Sequence, residues 1–280
     1  MINFFANIFG YLLKILLDIS GNFGVSIILF TILTKILLLP LLIKQQKSTK
    51  QLAKVQPKLL ELQEKYKNDT ERYAQEYTKL QQEEHFNPFT GCLLALIQIP
   101  IILAMFYIVS KPLTYVQKLP QETINAYIQE LQINTKTARA YPEIEIIKRK
   151  PELNIDLNLF GINLGDVPSK DPKNLVLLII PVLSVLMTLI SVKITSDMQN
   201  DMNNNTNIDD EKLKQTQSQM KMMNYTLPVL SGYIAYQVPL GLGLYWLFSN
   251  MLQIVQQYIM NKVMNDKDTK LIEMGADKIE

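Results

Sequence analysis

Few side chains in this sequence have the types needed for catalysis. There is one histidine, His85, and one cysteine, Cys92. One of each excludes a disulfide framework and leaves no metal cluster or Cys-His nucleophile to assemble. The residue that demands an explanation is Lys35. It stands in GVSIILFTILTKILLLPLLI at 24–43, about the twenty apolar residues a helix needs to cross a bilayer core. A charge at that depth costs about 2.5–3.5 kcal/mol on insertion scales. Lys35 lies more than about two turns from the basic end of the stretch, too deep to snorkel like a terminal lysine.

Other polar residues fall at helical spacing inside apolar blocks. Thr31, Thr34 and Lys35 share one face of the first block. Trp246, Asn250, Gln253 and Gln257 recur at four, three and four in the last, with Gln256 beside them. Gln98 lies in the second block, and Ser184 and Thr188 in the third. Hydrogen bonding between helices accounts for lone hydroxyls. It does not account for Lys35, because none of the five candidate spans contains an Asp or Glu. A buried cation without an acid needs water or a visiting anion. The missing carboxylate argues against a proton-coupled transporter, and no Ser-His or paired-Asp arrangement suits an intramembrane protease.

The elements that would position these residues follow from hydropathy. The chain is 48% hydrophobic and 19% charged with a net charge of +2, and the two classes are segregated into blocks. That is the composition of an all-α membrane protein with polar loops, and it gives no reason to expect direct nucleic-acid binding. Residues 1–22 carry Asn3, Asn7, Gly10, Lys14 and Asp18 along one side and bulky apolar residues elsewhere. This predicts an amphipathic helix in the membrane interface; the start lacks the basic residues and cleavage site of a signal peptide. The first span is placed at 23–43. Lys44, Lys47, Lys50, Lys54 and Lys58 follow with no acid before Glu61, which puts this end in the cytoplasm. The same lysines form a stripe able to meet anionic headgroups.

Residues 44–86 show two apolar seams of 3-4 spacing around Lys67–Thr70 and read as a cytoplasmic helical hairpin. Pro57 reads as a kink or the first turn of a separate helix. Asn87 and Pro88 read as the cap and first position of a second span, 87–110. An extracytoplasmic segment at 111–173 holds nine basic and eight acidic residues, scattered and read as solvated. A third span at 174–193 leads to a polar, mobile cytoplasmic loop at 194–224. The run Pro239–Gly243 reads as a turn between a fourth span at 225–239 and a fifth at 243–260. A cytoplasmic tail occupies 261–280. Five transmembrane helices place the N-terminus outside and the C-terminus inside.

Several stretches resemble the YidC membrane-protein insertase family and its mitochondrial Oxa and chloroplast Alb relatives. They are FGVSIILFTILTKILLLPLLIKQQKS at 23–48, VQPKLLELQEKYKND at 55–69 and NPFTGCLLALIQIPIILAMFYIV at 87–109, with GINLGDVPSKDP at 161–172 and PLGLGLYWLFSNMLQIVQQYIMNK at 239–262. The resemblance implies a non-enzymatic insertase and chaperone without a cofactor, of the Gram-positive type, in a bacterial plasma membrane. Such proteins use a positively charged groove, open to cytoplasm and lipid, to draw in the acidic outer segment of a nascent membrane-protein client. Lys35 falls where members commonly carry arginine; lysine keeps the charge but not the planar fork. Gln98, Trp246, Asn250 and Gln253 would line or brace the groove. The hairpin would recruit clients or targeting factors, and the Sec translocon is an expected partner. Some members bind ribosomes through a basic tail, but 261–280 holds four lysines against five acids. The competing expectation is a small-solute transporter with Lys35 as counter-ion, against which stands the lack of internal repeats.

Overall fold

The computed structural model describes residues 2–84, 86, 90–134, 141–204, 226 and 228–276. The expected Asn87-Pro88 cap, His85 and the part of the expected cytoplasmic loop at 205–224 lie outside the described residues. The described chain is almost entirely helical, apart from one two-stranded hairpin.

Helix α1, Ile2–Ser20, ends at Gly21, whose φ of +69° closes the last turn. Asn22 then caps α2, Phe23–Leu37, by accepting from the Gly24 and Val25 amides at 3.0 and 3.1 Å. The first apolar block is not one straight rod. It bends by 52° between α2 and α3, Leu39–Lys65. Pro40 is the cause: it has no N–H for the Ile36 carbonyl, and its ring crowds that turn. α3 then runs without interruption into the region read as the hairpin, with Pro57 inside it. Of the two readings of Pro57, a kink or the start of a separate helix, the second is therefore not formed. α4, Thr70–Glu83, folds back on α3 after an Asp69 cap. Lys58 is ion-paired with Glu84, and Gln51 Nε2 donates to the Glu84 carbonyl at 3.0 Å.

α5, Thr90–Ser110, carries Pro100 in its interior. After it come α6, Pro112–Tyr115, α7, Gln121–Glu130, and α8, Pro142–Arg149. Strands β1, Asn158–Leu159, and β2, Ile162–Asn163, pair antiparallel. These pieces form a cap with its own apolar centre of Ile124, Ile144, Ile146, Ile155, Leu157 and Leu164. The cap also seals helix ends. Phe23 donates to the Asp156 carbonyl at 2.9 Å, Leu240 to Asp166 at 2.9 Å and Gly241 to Leu164 at 2.8 Å. Amides that open two apolar helices, and that have no partner within the helix, are thus satisfied by the cap. The acids of this segment are not all solvated. Glu143 is buried, accepting from the Thr114 amide at 2.9 Å and hydroxyl at 2.6 Å. Burial raises its pKa above the usual carboxylate range, against those two hydrogen bonds.

A short 3₁₀ turn, Leu175–Leu178, leads into α9, Ile179–Asn204. The helix continues past Lys193 into the region read as loop. α10 covers 228–237, and α11 is Leu240–Ala276. The break before α11 falls at Pro239, but Gly241 and Gly243 are helical. They serve close approach rather than turning: a Cβ on Gly241 would sit 3.0 Å from Val109 and one on Gly243 3.0 Å from Ile180. α11 packs chiefly on α9 and α2, and α1 on α5 and α2. By length and composition, Ile2–Ser20 and Leu175–Ile194 can each cross a membrane, as can the bent α2–α3 pair taken as one span.

Candidate functional site: a polar interior beside the kinked helix

The buried interior divides along the helix axes. Toward the cap it is mainly apolar: Ile27 and Phe30 of α2, Ala104, Met105 and Ile108 of α5, and Leu240 and Leu244 of α11 belong to one cluster with the cap. Away from the cap more of the buried positions are polar, beside the apolar Leu247 and Met260, while Ser26 and Ser110 are the buried hydroxyls at the cap end. Thr31, Thr34, Ser184, Thr188, Ser191, Ser231 and Ser249 are all buried.

Lys35 stands at this boundary. The bend puts it in the last turn of α2 rather than mid-helix, where unpaired carbonyls make a cation locally favourable. It is half-buried, and among the described residues it makes no ion pair. Its own carbonyl accepts from Gln256 Nε2 at 3.2 Å, which ties the helix end to α11. Gln256 Oε1 is buried with no hydrogen-bond partner among the described residues. Thr31 and Thr34 flank Lys35 but spend their hydroxyls on their own helix. Thr31 donates to Ile27 at 2.7 Å, and Thr34 lies within reach of the Phe30 and Thr31 carbonyls at 2.9 and 3.0 Å. Such back-bonding loosens a helix near its bend.

A second group joins α9, α10 and α11. Asn250 Nδ2 donates to Thr188 Oγ1 at 3.2 Å, and Thr188 donates to the Ser184 carbonyl at 2.7 Å. Ser184 Oγ reaches the Gly243 carbonyl at 3.4 Å, and Ser231 Oγ lies 3.5 Å from Thr188 Oγ1. Gln98 of α5 donates to the Tyr245 hydroxyl at 3.0 Å. Trp246, Gln253 and Gln257 are half-buried on α11. The structure therefore brings Ser184, Thr188 and Asn250 together, and sets Gln98 on α11 through Tyr245. Sequence reasoning missed Tyr245 and Ser231. Tyr245 sits one residue before the polar row of α11, and Ser231 is the single serine of an apolar block. No spacing signal marks either. Of the lysine stripe, Lys44, Lys47, Lys54 and Lys58 are exposed on α3, and Lys58 is engaged with Glu84; the Lys50 side chain lies outside the described residues.

The family model described as "60Kd inner membrane protein" matches residues 15–268. The chain belongs to this family. Its relatives include proteins named membrane protein insertase YidC. That of Fusobacterium nucleatum is 30% identical over 86% of this chain and 87% of its own length. The one from Oceanobacillus iheyensis is 30% identical over 89% of this chain and 78% of its own. Membrane protein insertase YidC 2 of Listeria innocua is 30% identical over 95% of this chain and 70% of its own. As a YidC-family member, the chain is a membrane-integrated helical protein, and the division of its interior acquires a direction. The apolar half lies under the cap, and the polar half lies toward the α3–α4 hairpin.

Proposed function

We propose that this chain is a membrane protein insertase and chaperone of a bacterial plasma membrane. It takes nascent membrane-protein clients into a wet, positively charged groove open to the cytoplasm and to lipid. The observation that carries this reading is the two-part interior. A transporter needs polar access from both faces, whereas here the cap and the apolar cluster occupy one half. Lys35 would draw in the acidic outer segment of a client, as a cation with a helix end behind it and no fixed acid before it among the described residues. Gln98, Trp246, Asn250, Gln253, Gln256 and Gln257 would wet or brace the groove. Ser184 and Thr188 serve chiefly as the joint between α9 and α11. The client's apolar helix would leave into lipid along these two helices, which carry exposed Val182, Leu186, Val255 and Tyr258.

In this reading five spans run through α2 with the start of α3, α5, α9, α10 and α11, with the N-terminus outside. α1 lies along the outer face instead of crossing. Asn3 accepts from the Tyr115 hydroxyl at 3.2 Å and Asn7 Oδ1 from Lys118 at 2.7 Å, while the far end of α1 meets the start of α2. A helix of 19 residues is about 28 Å long, long enough to cross; these contacts at both of its ends are what support its lying along one face. The hairpin would recruit clients, targeting factors or the Sec translocon.

The test is reconstitution of the purified chain into vesicles with no other protein. A single-span client with a short acidic outer tail should become protected from external protease. No protection above that of protein-free vesicles, together with flux of a small anion, would favour the transporter and overturn this reading.

A further inference from the structure

Phe160 has no role in the packing described above. The β1–β2 register, Leu159 opposite Ile162, leaves Phe160 and Gly161 alone in the turn. Both have positive φ, +50° and +82°, the pattern of a type I′ turn, whose first central position is normally Asn, Asp or Gly. A bulky aromatic residue there is a genuine outlier. Its ring is 95% exposed, more than any other large apolar side chain described. Strain of this kind persists where the surroundings force it, and it gathers at sites that meet a partner.

The hairpin's attachments say where the tip lies. Leu159 is buried against Gly24, where an added Cβ would come within 2.9 Å of its Cδ2. Asn22 Nδ2 donates to the Asn158 carbonyl at 2.7 Å, and Phe23 N to the Asp156 carbonyl at 2.9 Å. Within a few residues of its tip, the hairpin is therefore bonded to the start of α2, where the first apolar block enters the bilayer. Two other exposed apolar side chains flank this end of the bundle: Ile19 at the end of α1 and Leu175 before α9, 75% and 73% exposed. The tip continues an apolar rim at the membrane boundary.

We propose that Phe160 is a lipid anchor, its ring seated at the headgroup–acyl boundary of the leaflet in which α2 begins. Phe side chains on the apolar face of interfacial segments bury at this depth, and burial there removes from water a ring that the protein itself does not cover. The hairpin belongs to the cap that satisfies the first amides of α2 and α11, so anchoring its tip holds the cap at a set height on the bilayer. The proposal goes beyond the insertase reading and stands whether or not the chain handles clients.

The test uses the full chain with Phe160→Trp in phosphatidylethanolamine–phosphatidylglycerol vesicles, with the unsubstituted chain's Trp246 emission subtracted. Lipids brominated near the headgroup should quench the added emission by about twofold, while aqueous iodide leaves it almost unchanged. Quenching by iodide with none by bromolipid would overturn the proposal. A benzoylphenylalanine at position 160 gives an independent reading. Light-induced adducts to phospholipid support the anchor; adducts to a protein instead would overturn it in favour of a protein docking site.

Discussion

Two charged residues show how far environment decides the role of a side chain. Lys35 has a helix end behind it and no acid among the described residues to meet it. If it attracts client carboxylates, Lys35→Glu should reduce insertion of acidic-tailed clients by about tenfold or more while sparing neutral-tailed ones, because the sign of the interaction reverses. Lys35→Arg should be tolerated, keeping the charge and adding donors. Protease protection of matched client pairs measures both; equal loss on both client types would rule out the charge mechanism. Glu143 is the reverse case, an acid in a buried place. Its pKa is raised by burial from 4.5, so the folded cap holds a proton that the unfolded chain releases. Its contribution to stability is full below about pH 4.5 and is lost as pH rises through the folded value. Exchange of the Thr114 amide should accelerate across that window, and Glu143→Gln should flatten the slope.

At the scale of elements, the bend between α2 and α3 matters most, since it moves Lys35 from mid-span to a helix end and swings the hairpin aside. Pro40 imposes it by removing a donor and crowding the preceding turn. Pro40→Ala restores both and should straighten the pair. Spin labels at Leu29 and Glu61, both exposed, should then move apart by about 4 Å, given the 1.5 Å rise per residue and the present 52° bend. An unchanged distance would mean that packing of α3 on α5 and α9, not the proline, holds the bend. The joint between α9 and α11 is a weaker element. A double-mutant cycle on Asn250→Ala and Thr188→Val should give a coupling of about 0.6 kcal/mol, typical of hydrogen bonds between membrane helices.

For the whole molecule, the divided interior predicts divided stability. The cap, α1 and the cap-side halves of α2, α5 and α11 share one apolar cluster. The opposite halves are joined by a few hydrogen bonds around Thr188 and Gln256. Local opening follows low density of buried apolar contact. Amide exchange in nanodiscs should therefore be slowest over 23–30, 101–109 and 240–245, and faster by about tenfold or more over 31–37 and 246–256. Uniform protection along α2 and α11 would contradict a rigid half and a pliable half. A pliable half toward the hairpin is also what a groove needs if it is to open for a client.

Read by itself, the sequence already held the helical class, the apolar blocks, the lone cation and the polar row on α11, because hydropathy and helical period are local properties. The motif-bearing stretches carried the family. Tertiary structure alone decided which polar residues meet. Thr31 and Thr34 share a face with Lys35, yet their hydroxyls turn to their own backbone. Ser231 and Tyr245, silent in the sequence, join the networks because neighbouring helices bring partners to them. The segment at 111–173 looked like scattered charge, and it folds into a cap whose carbonyls seal two helix ends and whose one buried acid, among the described residues, is Glu143. Period and composition specify what a residue is and which way its helix faces. They carry no information about the partner across an interface, which depends on how distant segments pack. For Lys35 the sequence supplied the charge and its isolation, and the bend at Leu38 supplied the helix end on which that charge stands.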